Sequence, residues 1–251
     1  MAKSPEEICT AFVEEMKASW GTDLCAVVLY GSAARADFVP GRSGIDFLVL
    51  VREVDPRRLI ALQDRVRRWR RDRVSLPLFM RPEMVTSALD SYPLEFLTMQ
   101  AGYRLLYGED PLRDLAIRRE DVRRQCERDL RGKLLHLRAG AIDCGGKRER
   151  MAQLVRATLP AMTAILQGLL FVAGKPHGLV GTELQDAARD ALDLDTGLFH
   201  ELYRLRIEKH PPGRDKLEGM LIRYLRELER LVVWADAGGA GQSTTRKTED
   251  A

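Results

Sequence analysis

The sequence predicts an α/β (α+β) domain with a mixed sheet, followed by an α-helical bundle, and three observations support this. Two continuous apolar runs of strand length, Cys25–Tyr30 and Phe47–Val51, flank a polar loop with glycines at both ends. Helical stripes of apolar residues alternate with such runs over the first 110 residues or so. From about residue 117 onward, helical periodicity alone remains. The expected division is therefore 1–112 for the α/β domain, 113–237 for the bundle and 238–251 for a tail. The tail is Gly, Ser, Thr and charge, a composition that predicts disorder.

In order along the chain, residues 6–18 read as a helix with Ile8, Phe12, Val13 and Met16 on one face. Trp20-Gly21-Thr22 ends it, and the two strands follow. Asp55-Pro56 opens a helix in which Leu59, Leu62, Val66 and Trp69 recur at steps of three and four. Val74–Met80 is a third strand-like run, and Pro77 within it predicts an edge position or a bulge. Short helices are expected over Pro82–Leu89 and Leu94–Gln100, and a last strand over Tyr103–Tyr107. In the second half Cys126, Leu130, Leu134 and Leu137 form one stripe. Met151–Val172 is apolar nearly all round after Leu159, as a central bundle helix is. Thr182–Leu192 and Leu198–Glu208 are shorter helices, and a long final stripe runs from Leu217 to Val232.

Composition narrows the class. The chain has 251 residues, 45% hydrophobic and 31% charged, with a net charge of +3, which describes an ordinary globular protein. Four cysteines without a CxxC pair fit reduced cytoplasmic thiols better than a disulfide frame or a zinc site. The charged amino terminus lacks a signal-peptide core, and the most apolar segment, Ala164–Ala173, is too short to span a bilayer, so no membrane role is expected.

Residues 27–51, VVLYGSAARADFVPGRSGIDFLVLV, carry the chemistry. Gly31-Ser32 directly after a strand lets backbone N–H groups and a hydroxyl approach a phosphate closely, because glycine presents no side chain. On the next strand, alternate side chains share a face, so carboxylates at positions 44 and 46 would hold a metal jointly. This layout resembles the nucleotidyltransferase superfamily of DNA polymerase beta, kanamycin nucleotidyltransferase and the minimal nucleotidyltransferases: a strand, Gly-Ser, a loop, then Asp-x-Asp. Leu29-Tyr30-Gly31-Ser32, Arg35 and Ser43-Gly44-Ile45-Asp46-Phe47 carry the resemblance, which covers residues 25 to about 108. The stretch RLLYGEDPL (104–112) also resembles the close of that domain in small bacterial members.

The resemblance implies that Gly31, Ser32 and Arg35 bind a nucleoside triphosphate and that Asp46 is a magnesium ligand. It also implies a second aspartate and a third carboxylate that activates the acceptor hydroxyl. Position 44 is glycine, and Arg73–Met80 contains no acid. Two metals cannot be clamped by one carboxylate, so the expectation is a divergent family protein that binds nucleotide with weak or no transfer activity, its magnesium weakly held. One alternative is an active enzyme transferring a nucleoside monophosphate to a small molecule or protein, with Asp37 or Asp72 completing the site. Another is an interaction protein such as a toxin–antitoxin component.

The other features point to surface roles. Arg57–Arg73 holds eight arginines against two aspartates, a local balance of +6. Without interleaved aromatics for base stacking, nucleic acid is not the expected partner. Arg131…His136 and Arg204…His210 match the Arg-x4-6-His spacing of HEPN ribonucleases, a spacing that so much arginine produces by chance. His177 lies in a Gly/Pro loop with nothing to make it a base. A homo-oligomer is compatible with the sequence, which sets no oligomeric state.

Overall fold

The computed structural model describes residues 4–35, 44–208 and 210–238, and the chain divides into two compact units, 1–118 and 119–251. The expected boundary at 112 is passed because Leu112 is buried, and Leu115 and Ile117 pack, against the first unit's core. The expected disordered tail lies, from residue 239 on, outside the described residues.

The first unit begins with α1 (Pro5–Trp20), whose start is fixed by a capping box. Ser4 Oγ accepts from Glu7 N–H at 3.2 Å, and Ser4 N–H donates to the Glu7 carboxylate at 2.7 Å. Helix α1 reaches Trp20, two residues beyond the expected end. The sheet is mixed. Its strands are β1 (Leu24–Tyr30), β2 (Asp46–Val51), β3 (Leu78–Met80) and β4 (Tyr103–Gly108), in the order β3-β2-β1-β4. Strand β1 is antiparallel to both β2 and β4, whereas β3 runs parallel to β2.

Both faces of the sheet are covered. Phe47, Val49 and Val51 share a core with Phe12, Met16 and Trp69, and Phe12 stacks on Phe47 at 3.9 Å. Val28, Leu48 and Leu50 pack on the other face with Val85, Phe96 and Met99 of α4 (Pro82–Ser87) and α5 (Pro93–Gln100). The alternation along β2 thus sends Asp46, Leu48 and Leu50 to the α4/α5 side.

Two expected elements are broken. The helix after Asp55 is α2 (Pro56–Ala61) and α3 (Gln63–Arg71), with Leu62 capping the first and starting the second. The third strand keeps only Leu78–Met80, plus one bridge between Ile45 and Val74. From Val74 to Leu78 the edge advances four residues while β2 advances three, Ile45 to Leu48. The extra residue lies beside Pro77, which satisfies both parts of the expectation: an edge and a bulge.

The second unit is helical: α6 (Arg119–Asp143), α7 (Arg148–Thr158), α8 (Met162–Val172), α9 (Gly181–Leu192), α10 (Thr196–Ile207) and α11 (Arg214–Asp236). Helices α6 and α11 lie antiparallel, tied by Arg131–Asp236 and Arg138–Glu229. The apolar run 148–172 is interrupted at Leu159–Ala161 by a 3₁₀ turn containing Pro160. By length and composition this run could cross a membrane, but 56% of its apolar window is buried within the protein, as befits a core helix.

Candidate active site

The end of the sheet at Tyr30 gathers the residues singled out from sequence. After β1 the chain enters a single 3₁₀ turn, Gly31–Ala34, closed by Arg35 N–H donating to Ser32 C=O at 3.2 Å. This single turn is of the 3₁₀ kind, so its N–H groups act without a macrodipole. Gly31 adopts φ +74°, and a Cβ placed on it would lie 3.1 Å from Asp46 Oδ2. The glycine is required here because a side chain would be strained by the backbone and would crowd the aspartate.

Asp46 opens β2 opposite Tyr30, and Tyr30 in turn pairs with Tyr103 on β4. The three form a row across the sheet on one face. Burial pushes the Tyr30 hydroxyl up to about 12, and the charge of Asp46 adds to the effect. The Tyr103 hydroxyl donates to Asp110 at 2.9 Å. Among the described residues the Asp46 carboxylate has no hydrogen-bond or ion-pair partner. Arg35 folds back over the α5–β4 turn, where a Cβ on Gly102 would come within 2.4 Å of its side-chain carbons.

Gly44 lies on the same side. Ile45 and Val74 are bridge partners buried in the α1/α3 core, so their neighbours Gly44, Asp46 and Ser75 turn to the opposite face. A Cβ on Gly44 would lie 3.0 Å from Ser75 Oγ and 3.8 Å from Asp46 Oδ1. Beyond Ser75 the edge presents Leu76 and Leu78, 65% and 44% exposed, in the stretch where the resemblance implies an activating acid. Ser75 was not singled out from sequence, since only the parallel bridge brings it next to position 44.

The other sequence candidates separate from this end. Asp72 lines a 340 Å³ cleft with Phe12, Glu15, Arg68 and Trp69, on the α1/α3 side of the sheet. It does not join Asp46, and sequence proximity to the edge strand is misleading because the chain crosses faces there. Asp37 lies outside the described residues. A larger cavity of 520 Å³, lined by Cys25, Arg52 and Gly108 among others, sits at the opposite end of the sheet. Neither cavity includes Gly31 or Asp46, and chemistry, not cavity size, marks the site. No group of three or more His, Cys, Asp or Glu that could hold a metal occurs among the described residues.

Half of the arginine run is already engaged. Arg65 and Arg68 pair with Glu15, Arg58 with Asp23 and Arg71 with Asp72. Arg57, Arg67, Arg70 and Arg73 have no ion pair among the described residues. His136 is exposed on α6, and His210 lies beyond the end of α10, off the helix that carries Arg204. His177 packs edge-on against Phe171 at 5.0 Å.

Sequence comparison with family models and with curated proteins finds no match. Comparison of folds does. A crystal structure of spectinomycin adenyltransferase AAD(9) from Enterococcus faecialis, with ATP and spectinomycin, superposes with a TM-score of 0.54 at 12% identity. The match covers 89% of this chain and 99% of that one. This chain has a nucleotidyltransferase fold. In this chain the Gly31-Ser32 turn lies beside the start of β2, and β2 with the edge run Arg73–Met80 holds one acid, Asp46.

Proposed function

We propose that this chain is a divergent nucleotidyltransferase-fold protein that binds a nucleoside triphosphate at Gly31, Ser32 and Arg35, with weak or no transfer of the nucleotidyl group. The observation that carries the reading is Asp46 beside Gly31, with glycine at position 44 and no acid from Arg73 to Met80. Phosphate oxygens would meet the backbone of the turn and the Ser32 hydroxyl, while Arg35 supplies positive charge.

The donor set fits one magnesium ion carried in on the triphosphate, because such ions commonly use one or two carboxylates plus substrate phosphates. Asp46 would be the anionic ligand, and the ion would neutralise phosphate charge. It does not fit a two-metal clamp, whose paired carboxylates are missing. Among the described residues the edge beside Asp46 also offers no base for an acceptor's proton: its positions are Ser75, Leu76 and Pro77.

Calorimetric titration with ATP, GTP, CTP and UTP, with and without magnesium, tests binding. Incubation with radiolabelled ATP and aminoglycoside or spectinomycin acceptors tests transfer. The expected result is nucleotide binding without labelled product. Efficient labelling that is lost in Asp46→Ala would overturn the weak-transfer half, and failure of all four nucleotides to bind would overturn the whole.

A further inference from the structure

The place left by the missing carboxylate is not empty of oxygen. The point where a side chain at position 44 would begin is 3.0 Å from Ser75 Oγ and 3.8 Å from Asp46 Oδ1, so hydroxyl and carboxylate flank the same spot. Their approach follows from the backbone. Ile45 N–H donates to Arg73 C=O at 2.9 Å and Ser75 N–H donates to Ile45 C=O at 3.0 Å, a parallel pairing that fixes Ser75 beside the start of β2. The Ser75 side chain is exposed, and its backbone rather than its hydroxyl holds the edge.

We infer that Ser75 is the second protein ligand of a magnesium–triphosphate complex at this site, its hydroxyl standing in for the absent carboxylate; the inference rests on the nucleotide-binding reading above. Magnesium is a hard cation that takes oxygen ligands, and a serine or threonine hydroxyl beside a carboxylate serves it in phosphate-binding loops. A hydroxyl is neutral, however. With Asp46 as the one anionic ligand, the protein holds too little charge to strip water from a free ion. Magnesium should therefore bind only together with the triphosphate, and Ser75 should matter only when both are present.

The experiment is a set of binding titrations on the full chain, with no turnover required. Wild type, Ser75→Ala, Ser75→Thr and Asp46→Asn are each titrated with the best-binding triphosphate, with magnesium and with EDTA, and with magnesium chloride alone. Magnesium should tighten triphosphate binding in wild type. Ser75→Ala should lose that gain on the order of tenfold while its affinity in EDTA stays at the wild-type value, and Ser75→Thr should restore it. Magnesium alone should give no heat with any protein. Thermal melts of the metal-free proteins should coincide, since the exposed hydroxyl is not part of the fold.

Equal magnesium gains in wild type and Ser75→Ala would overturn the inference and leave nucleotide binding standing. A triphosphate that binds equally with magnesium and EDTA would do the same. Tight binding of magnesium alone would refute the charge argument and with it the role of Ser75 as a neutral substitute. No triphosphate binding at all would remove the reading on which the inference rests.

Discussion

Replacing Gly31 with alanine tests the turn at its tightest point. The residue holds φ +74°, a region that costs an L-residue about 1–2 kcal/mol. The added Cβ would stand 3.1 Å from Asp46 Oδ2, so the carboxylate must move by a few tenths of an ångström. That movement is inexpensive, because Asp46 has no partner to break among the described residues, but it re-aims the carboxylate. The expected loss of stability is therefore about 1–2 kcal/mol, nearly all from the backbone. On the proposed reading, triphosphate affinity should fall by more than about tenfold, since the methyl group would stand where phosphate oxygens are to approach. Gly132→Ala is the control with opposite sign: this glycine lies within α6 with nothing within 4 Å of a Cβ, so alanine should stabilise by about 0.5–1 kcal/mol. Urea unfolding followed by circular dichroism reads the first quantity and calorimetry the second. Unchanged stability would show that residue 31 is not left-handed. Lowered stability with unchanged affinity would show that phosphate does not approach this turn.

Gly44→Asp should raise magnesium affinity by adding a second anionic ligand, once Ser75 rotates from its 3.0 Å contact, and should lower metal-free stability through repulsion with Asp46. Transfer should stay weak or absent because the edge still lacks an acid, and unchanged magnesium affinity would show that position 44 does not face Asp46. Gly108→Ala should destabilise by more than about 2 kcal/mol, because its φ is +83° and the Cβ would fall 1.8 Å from the Cys25 carbonyl oxygen, forcing β4 from β1; a urea midpoint within error of wild type would refute this. Tyr30 and Tyr224 both hold their protons to about pH 12, chiefly through burial. Folded pKa values above the unfolded value of 10.0 mean that their contribution, about 2–3 kcal/mol each, is complete below pH 10 and lost as pH rises through 12. Ultraviolet difference titration should show these two ionising late, with Tyr30→Phe removing one of them, and complete ionisation by about pH 11 would contradict the burial argument.

Local patterns carried the fold further than the site. The runs Cys25–Tyr30 and Phe47–Val51 are continuous and apolar because both strands are covered on both faces, so they read clearly as strands. The Leu59–Trp69 stripe located the right face yet hid the break at Leu62, since two short helices in line keep nearly the same periodicity. Val74–Met80 is as apolar as a strand, but Pro77 and the extra residue remove its first half from the ladder. That Gly31 and Asp46 come together was legible through spacing. Ser75 and Tyr30 were not, because their closeness to Asp46 comes from cross-strand register, which no period in one segment reveals. Asp72 illustrates the converse: it is near the edge strand in sequence but on the far face in space.

Asp46 itself separates a ligand from a structural residue. A carboxylate kept for the fold would cap N–H groups or pair with a cation, as Asp55 caps α2 through Arg57 N–H at 2.9 Å and Asp195 caps α10 through Leu198 N–H at 2.9 Å. Replacing such a cap costs about 1 kcal/mol. Asp46 makes neither kind of contact among the described residues; a Cβ on Gly31 would lie 3.1 Å from its Oδ2, and its charge disfavours ionisation of the Tyr30 hydroxyl. Asp46→Asn keeps shape and removes charge, so stability should stay within about 0.5 kcal/mol of wild type. The pKa of Tyr30 should fall, because the smaller of its two causes is gone while burial remains. The magnesium-dependent part of triphosphate binding should vanish, because Ser75 alone offers no charge to the ion. Urea unfolding, tyrosine titration and calorimetry on this one variant read the three effects independently. A loss of stability near 1 kcal/mol with magnesium dependence intact would make Asp46 a structural residue, and the turn at Gly31 would then bind its phosphate, if any, without a metal.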